Sequence, residues 1–313
     1  MFENCDKIST LNMPRPEWLA ERRKGIGGSD AAAVVVMSPW ATPYTVYMDK
    51  LGLLPEQEEN EAMRQGRDLE EYVAQRFTEA TGKKVQRCNY MIRNPDYPFA
   101  LADIDRRIVG ENAILECKTT STLDLKQFRG VEFPEKYYPQ CVHYLAVTGA
   151  EKCYLAVLVF GKGFYTFELL RDEAEIAALM TAEAVFWQMV ENQTPPDMTG
   201  LKADGEAVEA IWADSTGETV ELYGMEELFR QVAAADEALK LAQKTKDRAI
   251  NQIKARMQSA QNGSCTGWRC SWKTQERRTL NMDALREDFP DIPFENYMKV
   301  SKSRPFKWSA VEQ

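Results

Sequence analysis

The sequence predicts a mixed α/β protein, with a central mixed sheet flanked by helices and then a long helix and a small β/α annex. Three observations predict it. Short apolar strand runs crowd between residues 85 and 119, and helical runs at 61–81 and 172–192 bracket them. A single polar helical stretch, 225–261, lies beyond a proline-marked boundary at "NQTPPD". The expected division is a domain over 1–195 and an extension over 196–313.

The chain has 313 residues, 44% of them apolar and 28% charged, enough to bury a full core. No apolar run approaches the length of a membrane span, and "MFENCDKIST" has neither the basic nor the apolar region of a leader. A cytoplasmic protein is expected. Seven scattered cysteines without a CxxC pair signal neither a disulfide framework nor a zinc site. His143 is the only histidine, and it is read as a packed helix residue, not a catalytic base.

Taken in order, "PRPEWLAERRKGIGGSDAAAVV" reads as a short helix, a glycine turn and a second helix with Ser29 or Asp30 as its N-cap. The helix over 61–81 stops at Gly82. Strands are expected at 85–93, 99–109 and 113–119, and a helix at 139–147. A hairpin with its turn at Gly161-Lys162-Gly163 and a helix over 172–192 follow. Residues 197–222 are acidic and weakly patterned. The long helix carries a thin stripe of Leu228, Val232, Leu239, Ile250, Ile253 and Met257, suited to a partner or a second copy. "WRCSWKTQERRTL" and "KSRPFKW" read as strands around the short helix "NMDALREDF".

The net charge of −9 argues against nucleic acid only until it is located. Between Pro196 and Gln243 there are 11 acids against 3 bases, so the rest of the chain is close to neutral. That remainder carries basic clusters such as Arg22-Arg23-Lys24 and Arg106-Arg107, which permit a DNA partner without demanding one.

The chemistry is concentrated in "AILECKTTS". Along a strand Glu116 and Lys118 share one face, while Leu115 and Cys117 share the other. Upstream, "RRIVGENAIL" reads as a hairpin with Gly110-Glu111 at its tip, which places Asp105 opposite Glu116. Opposed Cβ atoms lie about 4.5–5.5 Å apart. Two carboxylates at that distance repel unless a cation lies between them, and hard oxygen ligands suit Mg²⁺ or Mn²⁺. On the 61–81 helix, Glu70 shares the apolar face of Val73, Ala74 and Phe77, whereas Glu71 faces outward. A carboxylate pointing inward needs a partner, so Glu70 is expected at the same cation. Lys118 is placed to hold a water or a phosphate oxygen. Trp18, Trp40 and Tyr44 are read as core residues in preference to base-stacking platforms.

The order helix-Glu, Asp, Glu-x-Lys resembles the PD-(D/E)xK nuclease superfamily, and the chain is more closely similar to the YqaJ and lambda-exonuclease-like phage recombination exonucleases. The matching pieces are "RRKGIGGSDAAAV", "SPWATPYTVYMDKLG", "MRQGRDLEEYVAQRF", "LADIDRRIVGENAILECKTTS" and "YYPQCVHYLAVTG". They cover residues 15 to about 190 in order. Ile104 stands where the superfamily has a nominal proline. The resemblance implies a restriction-endonuclease-like core and a metal held by Glu70, Asp105, Glu116 and the Cys117 carbonyl. Lys118 would be the catalytic lysine, with Gln140 near the scissile phosphate. Arg23 and Ser29 match a pocket for a 5′-terminal phosphate; the spacing is one residue short, so Arg22 could take the place of Arg23. The implied activity is 5′-to-3′ degradation of linear double-stranded DNA with Mg²⁺. The implied partners are a single-strand annealing protein and further copies of the chain in a trimeric ring.

Overall fold

The computed structural model describes residues 4–56, 59–128, 130–299 and 304–309. The chain divides into two units, Met1–Ala213 and Asp214–Gln313.

The first unit opens with β1 (Asp6–Ser9), α1 (Arg15–Arg22), β2 (Ile26–Gly27), α2 (Gly28–Val34) and α3 (Pro43–Lys50). The expected helix then appears as α4 (Glu61–Thr81), capped by Asn60 and ended by Gly82 at φ +72°. Next come β3 (Val85–Arg87), β4 (Tyr90–Arg93), β5 (Ala100–Asp103), β6 (Arg106–Ile108) and β7 (Ala113–Thr120). A small hairpin, β8 (Leu125–Phe128) and β9 (Val131–Pro134), leads into α5 (Tyr138–Thr148). The unit closes with β10 (Lys152–Val159), β11 (Gly163–Leu170), α6 (Glu173–Glu191) and α7 (Lys202–Ile211).

The main sheet has the order β11-β10-β7-β6-β3, with β7 and β10 parallel and the other pairs antiparallel. It is a mixed sheet, as expected, and its helices lie on both faces. Val73, Ala74 and Phe77 of α4 pack with Ala113, Leu115 and Cys117 on one face of β7. Ile114, on the other face, packs with Cys141, Val142 and Leu145 of α5. A second sheet has the order β1-β4-β5-β2.

The runs expected as single strands at 85–93 and 99–109 each break in two. They pair with one another twice, as β4 with β5 in the small sheet and as β3 with β6 in the main one. The crossing point lies at Cys88 and Asp105, where the Cys88 N–H reaches the Asp105 carbonyl at 3.3 Å. Asp105 thus sits where the chain passes between sheets. The β6–β7 register, Arg106 with Leu115 and Arg107 with Ile114, is the one the Gly110 turn predicts.

Two local expectations need correction. The N-cap of α2 is Gly27, and Asp30, three residues into the turn, reaches back to the Gly27 N–H at 2.9 Å. Residues 202–211, expected to be weakly patterned, form α7. Its Asp204 accepts hydrogen bonds from the Thr42 hydroxyl and the Thr199 N–H, and Ala207 joins the core around Tyr44 and Tyr47. These contacts carry the first unit through Ala213, beyond the prolines of "NQTPPD".

Every residue of α5 is buried. The polar side chains on it must therefore be satisfied inside the protein. His143 is fully buried; Nδ1 lies 2.8 Å from a Glu183 carboxylate oxygen on α6 and Nε2 lies 2.9 Å from the Leu101 carbonyl on β5. Both partners are acceptors, so both ring nitrogens donate and the ring is an imidazolium.

In the second unit the long helix is α8 (Glu226–Met257), followed by the hairpin β12 (Asn262–Cys265) and β13 (Trp268–Ser271) and by α9 (Met282–Asp288). The strand expected across "WRCSWKTQERRTL" is confined to β13. Arg304–Trp308 of "KSRPFKW" carries no strand, and Lys302 and Ser303 lie outside the described residues. Among the described residues neither run has a further strand to pair with, and Pro305 has no N–H to donate. No described residue of this unit is buried, and Leu228 and Leu239 on α8 are exposed.

The buried ion pair between α5 and α6 sets a pH dependence. Burial lowers the His143 pKa, but Glu183 and the Leu101 carbonyl outweigh it and the net shift is upward. A raised folded pKa gives stability that is complete below the unfolded value of about 6.5 and is lost as pH rises through the folded value. His143→Gln is expected to cost about 3 kcal/mol at pH 6. The melting temperature of the wild type should fall across that window, and that of the variant should fall less. Parallel slopes in a pH series of thermal melts would contradict the assignment.

Candidate active site

β7 lies between β6 and β10, so its side chains are covered on both faces by α4 and α5. Alternation sends Leu115 and Cys117 toward α4 and Ile114, Glu116 and Lys118 toward α5. Glu116 is 3% exposed. Its Oε1 accepts from the Lys118 ammonium at 2.6 Å and from the Gln140 amide of α5 at 2.6 Å. Its Oε2 is buried with no hydrogen-bond partner.

The register continued one step beyond β6 sets Asp105 opposite Glu116. The Asp105 Oδ2 accepts the Cys117 N–H at 2.7 Å. Burial and the charges of Glu116 and Glu70 push the Asp105 pKa well above the usual carboxylate value. Glu116 is also raised by burial, against the pull of Lys118. For Lys118, burial disfavours the ammonium, but Glu116 and Asp105 outweigh it, and its pKa rises. Lys118 is therefore a held cation and not a free base. Cys117 turns its thiol into the α4 layer, where burial holds it protonated.

Glu70 and Glu71 face as their helical positions predict, with side chains 28% and 75% exposed. Arg87 reaches both, at 3.5 and 3.4 Å, and a second arginine that sequence reasoning missed holds them more closely. Arg106, almost fully buried, forks to Glu70 at 2.5 Å and to Glu71 at 2.9 Å. Glu70 thus answers its charge through Arg106 on the α4 face. The structure brings Asp105 and Glu116 together and leaves Glu70 beside them, and among the described residues no three His, Cys, Asp or Glu side chains converge as a ready ligand set.

At the start of α2, Arg22 donates to Ser29 Oγ at 2.6 Å and to Asp30 Oδ1 at 2.8 Å. Arg23 points instead to Asp49, at 3.4 Å. Lys50, its side chain fully buried, meets the other Asp30 oxygen at 2.6 Å. Burial raises the Asp30 pKa, but Arg22 and Lys50 more than reverse this and hold it far below the usual range. Asp30 thus fixes Arg22 beside Ser29 at the start of α2.

A polar cavity of about 180 Å³ joins the two groups, lined by Arg22 and Ser29 on one side and Glu116, Lys118 and Gln140 on the other. Its wall also contains Asp103, whose carboxylate accepts the Trp18 indole N–H at 2.9 Å, and Tyr144. Tyr144 Oη accepts from Gln140 at 3.1 Å and donates to the Asp103 carbonyl at 2.9 Å. The spacing of Tyr144 one turn after Gln140 was a readable signal for its place here. Arg106, next to Asp105 in a basic pair, carried none.

The close approach of α2 to α5 sets a steric test. A methyl group on Gly28 would overlap the Tyr144 ring, whereas one on Gly66 in α4 would meet only Thr119 Oγ1 at 3.8 Å. Gly28→Ala is expected to destabilise by about 1–3 kcal/mol. Gly66→Ala is expected to stabilise by about 0.5–1 kcal/mol through helix propensity. Urea unfolding of the two variants distinguishes them; equal midpoints would mean that α2 and α5 are not packed this way.

Comparison with known proteins gives the family. The model of the YqaJ-like viral recombinase domain matches residues 17–151. A Bacillus subtilis (strain 168) protein described as uncharacterized protein YqaJ is 38% identical over 307 residues, covering 96% of this chain and 95% of that protein. Among solved structures, the alkaline exonuclease LHK-Exo of Laribacter hongkongensis is 20% identical, covering 57% of this chain and 94% of its own, with a TM-score of 0.43. A putative exonuclease from Eubacterium rectale is 13% identical over 71% of this chain and 98% of its own, with a TM-score of 0.47. The near full-length identity with the Bacillus protein decides the matter: the chain belongs to the YqaJ-like viral recombinase family.

Proposed function

We propose that the chain is a divalent-cation-dependent exonuclease that degrades the 5′-ended strand of linear double-stranded DNA. One observation carries the reading. The cavity holds a cation-and-hydroxyl pair suited to a terminal phosphate, Arg22 with Ser29, within reach of a buried carboxylate–lysine–glutamine cluster suited to a phosphodiester. The exonuclease names borne by the solved structures are in keeping with it.

The residues fit a cation. Glu116 has a buried oxygen without a partner, and burial, together with the nearby Glu116 and Glu70 charges, raises the Asp105 pKa. Asp105, Glu116 and the Cys117 carbonyl would hold Mg²⁺, or Mn²⁺ in its place, and Glu70 would join them by giving up Arg106. When bound, the cation supplies a Lewis acid for the charge that grows on the phosphate. The chain's own groups do the rest. Gln140 fixes the orientation of Glu116, and Tyr144 fixes Gln140. Lys118, held protonated, donates to a phosphoryl oxygen or orients the attacking water.

Attack of water on phosphorus with breakage of the P–O3′ bond releases a nucleotide and leaves a phosphate on the new 5′ end. Each product is then a fresh ligand for Arg22 and Ser29. A trimeric ring and a single-strand annealing partner rest on the family resemblance alone.

Asp105→Ala, Glu116→Ala and Lys118→Ala are each expected to lower the cleavage rate about 100-fold or more while the fold survives. Lys118→Ala with near-wild-type turnover and an unchanged melting temperature would refute this mechanism.

Initial rates on linear duplexes with 5′-phosphate or 5′-hydroxyl ends, beside closed circles, test the end requirement. The phosphorylated linear duplex should be degraded fastest and the circle should resist. Arg22→Ala should erase the phosphate preference and Arg23→Ala should leave it. Rapid cutting of circles would replace this reading with an endonuclease, and binding of ends without turnover would make the chain an end-binding scaffold.

A further inference from the structure

Trp40 lies in the loop between α2 and α3, and its place differs from the sequence expectation. It is 63% exposed, whereas Tyr44 four residues on is in the core. The loop is not loose, since the Trp40 and Ala41 N–H groups both donate to Ser38 Oγ at 3.2 Å. A large apolar ring is thus left mostly in water, where its burial contributes little to the fold.

The ring is also half of an assembly. The Lys136 ammonium lies 5.1 Å from the centre of the Trp40 indole and 5.0 Å from that of Tyr137. Among the described residues no carboxylate pairs with Lys136; its hydrogen bond is to Thr120 Oγ1, at 3.2 Å. The Lys118 ammonium, in turn, is 5.6 Å from the centre of the Tyr137 ring. A ladder of alternating cations and rings, Lys118, Tyr137, Lys136 and Trp40, therefore runs from the proposed cleavage cavity along the end of β7 to the surface.

A cation without an acidic partner beside an exposed flat ring fits one ligand class. We infer that Trp40 and Lys136 form a seat for unpaired DNA, a base stacking on the open indole face and its phosphate meeting the Lys136 ammonium. Stacking needs a base face, which a duplex withholds and a single strand offers. The inference rests on the nuclease reading for its direction, since it places the unpaired strand where it leaves or enters the cavity.

The test is fluorescence anisotropy of the full chain with a labelled oligothymidylate and with a blunt duplex, in EDTA so that no cleavage occurs. Trp40→Ala should weaken single-strand binding about tenfold, the loss of one base stack, with little change for the duplex. Trp40→Phe, which keeps a ring, should bind close to wild type. Lys136→Ala should reduce the salt slope by about 0.7, the loss of one phosphate contact on a single strand. The exposure of Trp40 leads to unchanged thermal melts for both Trp40 variants. Wild-type affinity in Trp40→Ala, equal weakening for single strand and duplex, or no measurable single-strand binding by the wild type would each overturn the assignment. Binding is read without turnover, so its failure leaves the nuclease reading standing, and failed digestion leaves the binding result standing.

Discussion

The complete burial of α5 is the constraint on which the rest of the first unit depends. A buried helix satisfies its own backbone but not its side chains. Within two turns α5 carries Gln140, His143 and Tyr144, and their partners lie in both sheets and in α6. Gln140 reaches Glu116 in the main sheet, His143 joins Leu101 of the small sheet to Glu183 of α6, and Tyr144 reaches the Asp103 carbonyl. The helix that fills the core thus also fixes the relative positions of both sheets. The cavity inherits its geometry from that arrangement.

The second determinant is the electrostatic imbalance at the centre of β7. Glu116 is answered on one oxygen by Lys118 and Gln140, and its other oxygen is left bare opposite Asp105. A buried carboxylate in this state costs stability. The fold tolerates it because the apolar layers on both faces of the strand are continuous around it. Arg106 performs the opposite task on the α4 face, where it neutralises Glu70 and Glu71 and attaches the helix to the sheet. The two faces of one strand pair thus differ in kind, one electrostatically closed and the other open to a ligand.

The phosphate-suited end of the cavity follows the same logic. Asp30 is committed twice over, to Arg22 and to Lys50, and it caps the turn that begins α2. Its charge orients Arg22 toward Ser29, so the arginine is placed before any ligand arrives. Such placement lowers the ordering cost of binding.

Much of this was determined by the sequence alone, where the governing physics is local. Glycine at 82 ends α4 because only the left-handed conformation closes that helix, and glycine at 110 sets a turn whose length fixes the β6–β7 register. Alternation puts Glu116 and Lys118 on one face, and helical spacing turns Glu70 inward and Glu71 outward. The tertiary structure decided what those local rules leave free. It chose Arg22 over Arg23 through Asp30, gave Glu70 to Arg106, split two strand runs between sheets at Asp105 and left Trp40 in solvent. The reason is the same in each case: period and turn chemistry act over a few residues, whereas the partner of a charged or aromatic side chain is supplied by segments far away in the chain.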